Sequence, residues 1–181
     1  MVAAQAHWCD TLGDTQAFLT WGIMTKDAII GSERRVSEML MSYWNKLKGD
    51  RPVPEERELD IQEIEEFWDS CFMIEITYRG DECDYKYSYL GPSIVDAYGD
   101  DLTGKEVYNH LIAPYTTMLI AKFEVVVEDL QPVQDESEFV NLKGELVRYR
   151  QCLVPLGGVD GNIGFIMGSM MWKKYDLTSD D

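Results

Sequence analysis

The chain has 181 residues, 45% of them hydrophobic and 27% charged, enough for one domain of ordinary size with a sizeable core plus an extension. Its 16 Lys and Arg stand against 33 Asp and Glu, a formal net charge of -17 that repels phosphate backbones and anionic lipid and so excludes nucleic-acid and membrane-surface partners. The sequence lacks the ~18-residue apolar run of a spanning helix, and its first ten residues lack a basic stretch followed by an apolar one, so no membrane segment or secretory signal is expected.

Residues 1–31 are rich in large apolar side chains (Trp8, Leu12, Phe18, Leu19, Trp21, Ile23, Met24) and form an apolar N-terminal extension, expected to pack on the domain or on a second copy of the chain. From Ser32 the pattern sharpens. Val36, Met39, Leu40, Tyr43, Trp44 and Leu47 follow the spacing of one helical face, with Ser32 suited to its start and Lys46, Lys48 and Gly49 to its end. Pro52 and Pro54 enforce an extended connector. Asp60 and Glu63 have capping-box spacing for a short helix that would bury Ile61, Ile64, Phe67 and Trp68.

A first strand is expected over 71–77 and a polar turn over 79–84. In 85–105, Tyr85, Tyr87 and Tyr89 alternate as one face of a half-buried strand, with Lys86 and Ser88 on the other. Gly91-Pro92 ends it, residues 93–98 make about two helical turns, and Gly99 stands where a left-handed cap belongs. Thr103 and Glu106 again have capping-box spacing, for a helix over 105–111. A longer helix is expected over 118–130, with Leu119, Phe123, Val126 or Val127, and Leu130 on one face and Pro132 as the stop. Strands over 138–142 and 145–155 flank a Lys143-Gly144 turn, and a last strand over 163–173 follows a glycine-rich loop. Residues 174–181 are left as an acidic tail.

Three stretches in this order carry a resemblance. They are Tyr43-Trp44-Asn45-Lys46-Leu47-Lys48-Gly49-Asp50-Arg51-Pro52, Tyr87-Ser88-Tyr89-Leu90-Gly91 and Gly99-Asp100-Asp101-Leu102-Thr103-Gly104. They are similar to the YWxxLRGxRxxP, YRLVG and GxDLTG motifs of a bacterial family of small PAS (Per-ARNT-Sim) proteins, and the likeness runs from about Met39 to Trp172. The resemblance implies an α+β fold: a PAS-like five-stranded antiparallel sheet with short helices over one face and an N-terminal helix, here over 32–173. It implies a non-enzymatic sensory or protein-interaction module in bacterial signal transduction, partnered with signalling proteins such as histidine kinases. The stretches depart from the family at Ser88, where relatives usually carry Arg, and at Asp100, another frequently basic position. With no kinase, cyclase or helix-turn-helix output in these residues, action in trans is expected.

The chemistry-bearing residues point to binding rather than catalysis. Tyr85, Tyr87 and Tyr89, with Tyr98, Tyr108 and Phe123 from the covering elements and Tyr149, Phe165 and Met167 from the last strands, form the candidate pocket. Ordinary core accounts for such rings. Converging phenols also need hydroxyl partners, which a small amphipathic ligand would supply. The Met39, Tyr43, Trp44 and Leu47 face is the candidate partner surface, which would make the chain a ligand-free homodimeric scaffold. A small cone-like α+β enzyme is the remaining alternative and would need an Asp–His pair at His110. No metal and no cofactor is expected: His110 could serve as a haem ligand, but a surface histidine near a helix end is the preferred account. The four cysteines (Cys9, Cys71, Cys83, Cys152) are scattered without a CxxC pair and fit a reduced, cytoplasmic chain. None has the Asn-Cys-Arg-Phe-like surroundings of a photoreceptor flavin site. Cys83 sits among acids that oppose a thiolate.

Overall fold

The computed structural model describes residues 33–80, 82–110, 115–158 and 161–175; the apolar extension and the end of the acidic tail lie outside the described residues. Five strands form one antiparallel sheet: β1 (Cys71–Arg79), β2 (Glu82–Leu90), β3 (Val133–Val140), β4 (Leu146–Gly157) and β5 (Ile163–Tyr175). Their spatial order is β2-β1-β5-β4-β3, so the last strand of the chain sits in the middle and β2 and β3 form the edges. The long central strands are the apolar ones, and the edge strand β3 alternates charged residues along its length, as an edge exposed to solvent requires.

Both faces of this sheet are covered. Helices α3 (Pro92–Tyr98), α4 (Val107–His110) and α5 (Tyr115–Asp129) connect β2 to β3 and lie over one face. There Phe72, Ile74, Tyr87, Ile94, Phe123, Leu153 and Ile166 form the main core. The other face receives α1 (Glu33–Lys48) and the short α2 (Glu65–Trp68), whose Leu40, Tyr43, Trp44 and Phe67, with Ile64 of the turn before α2, pack on Cys71, Met73, Cys152, Val154, Leu156 and Met167. Strand alternation separates the two sets: Cys152 and Val154 point to α1, Val147, Tyr149 and Leu153 to α5.

Several expectations are corrected by local chemistry. Ser88 has no partner in the β1–β2 ladder, which runs from Ile74 opposite Tyr87 directly to Met73 opposite Tyr89. This bulge reverses the facing of the residues after it, so Tyr89 does not share a face with Tyr85 and Tyr87. Ile61 is 51% exposed, because residues 61–64 form a 3-10 turn capped by Asp60 rather than a helix with a continuous apolar face. Strand β3 begins at Val133, five residues before the expected start. The α4 helix begins two residues late, since the Asp101 carboxylate accepts from Thr103 N (2.9 Å) and holds a turn there. Lys174 and Tyr175 belong to β5 rather than to a tail, with Lys174 bridging Asp96 (3.1 Å) and Glu145 (3.2 Å).

The helix over 93–98 forms as expected, with Pro92 at its first position and Gly99 (φ 87°) as its left-handed cap. Asn141 then ties this helix to the β3–β4 hairpin. Its buried amide donates to Ala97 O (3.1 Å) and the Glu145 carboxylate (2.8 Å), while its oxygen accepts from Lys143 N and Glu145 N.

Candidate functional site

The helix-covered face carries an unusual number of polar groups for a core. Tyr87 and Tyr98 are buried with their rings tilted 60° at 5.8 Å, and the Tyr87 hydroxyl lies 3.5 Å from that of Tyr98. Phe139 links them to Tyr149, 5.4 Å from Tyr98 and 5.7 Å from Tyr149. Burial pushes the phenols of Tyr85, Tyr87, Tyr98 and Tyr149 above their ordinary value. At Tyr149 the neighbouring Lys122 ammonium, 5.8 Å from the ring centre, opposes that rise without cancelling it. Lys122 is itself ion-paired with Asp135 of β3.

Gln151 stands two residues from Tyr149 along β4. It stands opposite Asp135 on one side and Met170 on the other, and alternates in phase with Tyr149 and Leu153, so it belongs to the helix-covered face. It is 2% exposed, and its amide nitrogen has no hydrogen-bond partner among the described residues. A buried donor without an acceptor costs about 1–3 kcal/mol, and folded proteins meet most such groups with a water, an ion or a ligand. Gln151 follows Arg148 and Arg150 at the start of the apolar run 152–156, so as one more polar residue on the strand it carries little signal in the sequence.

The nine candidate pocket residues therefore divide. Tyr85, Tyr87, Tyr98, Phe123 and Tyr149 share the helix-covered face. Tyr89, Phe165 and Met167 lie on the α1 side, where Tyr89 stacks on Trp68 at 4.3 Å and 13°. Tyr108 is 70% exposed at the rim, where it joins Cys83, Asp84, Tyr85, Glu106, Thr117 and Ile120 around an open cleft of about 230 Å³. Met39, Tyr43, Trp44 and Leu47, the candidate partner face, meet the sheet of their own chain: Trp44 is 2% exposed and donates to Pro155 O at 2.7 Å.

The cysteines do not converge on the helix-covered interior. Cys71 and Cys152 are buried beneath α1, where desolvation raises both thiols, that of Cys152 to about 12. Cys83 lies on the cleft wall, raised by burial and then by the nearby Glu124 carboxylate. A thiolate nucleophile at any of the three is therefore disfavoured. The side chain of His110, the haem candidate, lies outside the described residues. Among the described residues, no group of three or more His, Cys, Asp or Glu is arranged to hold a metal ion.

An antiparallel sheet in the order β2-β1-β5-β4-β3, with α3, α4 and α5 between its second and third strands folded over one face, defines a five-stranded α+β domain. A family profile described as PAS domain matches residues 33–171, and the chain belongs to that family. Solved structures similar to it include a light-oxygen-voltage domain studied with a flavin analogue, at 13% identity and a TM-score of 0.48 over 66% of this chain and 87% of that one. The LOV protein of Rhodobacter sphaeroides matches at 11% identity and 0.45 over 67% and 71%. The dark form of the Aureochrome1 LOV domain matches at 11% identity and 0.46 over 69% and 89%. No curated protein matches the chain. Among the described residues, no helix is long and apolar enough to cross a membrane.

Proposed function

We propose that the chain is a non-enzymatic sensory and protein-interaction module that binds a small polar ligand against the helix-covered face and relays its occupancy to a signalling partner such as a histidine kinase. The observation that carries this reading is the unpartnered, buried amide of Gln151 on the sheet face that also holds the phenols of Tyr149, Tyr98 and Tyr87. A ligand offering an acceptor to that amide and an aromatic or aliphatic body to the rings would complete the site. Membership of the PAS family supports the sensory role. The route out of the site runs through strands: Gln151 pairs with Met170 on β5, and the reverse face of those strands carries α1.

Gln151→Leu tests the ligand. It keeps the side-chain volume and removes the orphaned donor, so the empty protein should be as stable as the parent or more so. Native mass spectrometry of freshly purified protein should show an added small mass, or a screen of small polar aromatics should raise the melting temperature, and the leucine variant should lose either response. A bare mass with no stabilising compound, together with a destabilised Gln151→Leu, would instead mark the amide as part of a closed core.

A further inference from the structure

The outward face of α5 breaks the rules that a solvated helix normally obeys. Met118 is 49% and Val125 45% exposed, and with the exposed Ala121 they recur at i, i+3 and i+7, a stripe on the side opposite the buried Leu119, Phe123 and Val126. Tyr108, 70% exposed on α4, lines the neighbouring cleft with Thr117 and Ile120 of α5, which adjoin Met118 and Ala121 in the helix. The charges beside the stripe are of one sign. Glu124, Glu128 and Asp129 are exposed, whereas the one cation of α5, Lys122, is turned inward to Asp135. Two further basic side chains nearby are already committed, Arg79 to Asp84 (2.7 Å) and Lys105 to Asp100 (3.6 Å).

The same end of the helix is built against its own stability. Glu128 and Asp129 stand in the last turn, where the dipole favours cations, and that turn holds no basic residue. Leu130 then adopts φ 56°, a left-handed conformation that costs a residue other than glycine about 1–2 kcal/mol. Carboxylates kept at the wrong helix pole, next to exposed Val125, are the arrangement expected of a surface shaped by what it binds.

We infer that the outward face of α5, continuous with the Tyr108 cleft, is a docking surface for a basic amphipathic segment of a partner protein. Apolar side chains of the partner cover Met118, Ala121 and Val125, and its Lys or Arg residues meet Glu124, Glu128 and Asp129. A cation reaching the cleft finds the Tyr108 ring beside the Glu106 carboxylate, a favourable setting for an ammonium or guanidinium group. This deepens the interaction role proposed above and rests on it, but it does not depend on the Gln151 ligand.

The probe is a synthetic amphipathic helix with leucines on one face and lysines on the other, added to the isotopically labelled full chain. Its controls carry glutamates for the lysines or serines for the leucines. The Lys/Leu peptide should bind with the largest amide shifts at Tyr108, Met118, Ala121 and Val125, and both controls should bind about tenfold more weakly or not at all. Glu124→Gln with Glu128→Gln should weaken the complex about tenfold, as should Met118→Ser with Val125→Ser, while Asp50→Asn with Glu65→Gln, exposed acids elsewhere, should leave it unchanged. Absence of binding, shifts centred on α1 or the β3 edge, or an equal loss from the Asp50 and Glu65 changes would overturn the inference. A peptide that fails while Gln151 still governs a ligand removes this surface alone; the converse result removes the ligand site alone.

Discussion

Gly91 shows how a single residue sets the path of this chain. A Cβ there would lie 2.3 Å from the Asp69 carbonyl oxygen and 2.9 Å from that of Cys71, both backbone atoms that cannot rotate aside. The close approach is what lets Gly91 N donate to Cys71 O (2.8 Å) and Ser93 N to Asp69 O (3.1 Å), locking the start of α3 against the start of β1. Gly91→Ala is therefore expected to cost about 3 kcal/mol and lower the melting temperature by several degrees. Gly144→Ala, at φ 81° but with open space around it, should cost only about 1 kcal/mol. Urea unfolding of the two variants checks the order, and an undisturbed Gly91→Ala would sink it. From sequence, Gly91-Pro92 was legible as the end of a strand, since both residue types punctuate. That the glycine is needed for a contact with residues 69–71 is a long-range fact with no local signature. Ser88 is similar: a serine on a strand is unremarkable, and its unpaired position follows only from the β1–β2 register.

At the scale of elements, long periodic segments were legible and short or polar ones were not. The face of α1 and the core face of α5 follow directly from 3.6-residue spacing, because burial of an apolar stripe dominates propensity there. The beginning of β3 was hidden because Val133–Val140 is an edge strand in which Asp135, Glu136 and Glu138 interrupt the apolar pattern. The α1 face was legible as apolar but not as to what it covers, since a helical stripe looks the same whether it packs on its own sheet or on a partner. Trp44 distinguishes these at the bench. Its ring is buried against β4 and β5 side chains and its indole nitrogen holds Pro155 O, so Trp44→Ala should destabilise the isolated chain by about 3–5 kcal/mol. Trp44→Phe, which keeps a ring but orphans that carbonyl, should cost about 1–3 kcal/mol. Denaturant midpoints at two protein concentrations provide the check. A midpoint in Trp44→Ala equal to that of the parent at low concentration would mean that α1 is held by association rather than by its own sheet.

For the whole molecule, the protonated interior fixes the pH limit. Tyr85, Tyr87, Tyr98 and Tyr149, with the thiols of Cys71 and Cys152, all have folded values raised chiefly by burial. For a group whose folded pKa exceeds its unfolded one, the stabilisation is complete below the unfolded value and is lost as pH rises beyond it. The loss thus begins near pH 9 for the cysteines and near pH 10 for the tyrosines, the ordinary values of these groups. Exposed carboxylates act at the other end. Glu145, held low by its hydrogen bond from Asn141 and by Lys174, gives a contribution that is present above its ordinary value and fades as pH falls through the lowered one. That group is solvent-exposed, so acid should erode stability gently while alkali removes it cooperatively. The melting temperature should accordingly hold between about pH 6 and 8 and fall steeply above about pH 10. Phenolate absorbance from Tyr85, Tyr87 and Tyr98 should rise only as the circular dichroism signal collapses. Ionisation of these phenols with the fold intact would show that they are open to water. The helix-covered face would then be a hydrated cavity even without a ligand.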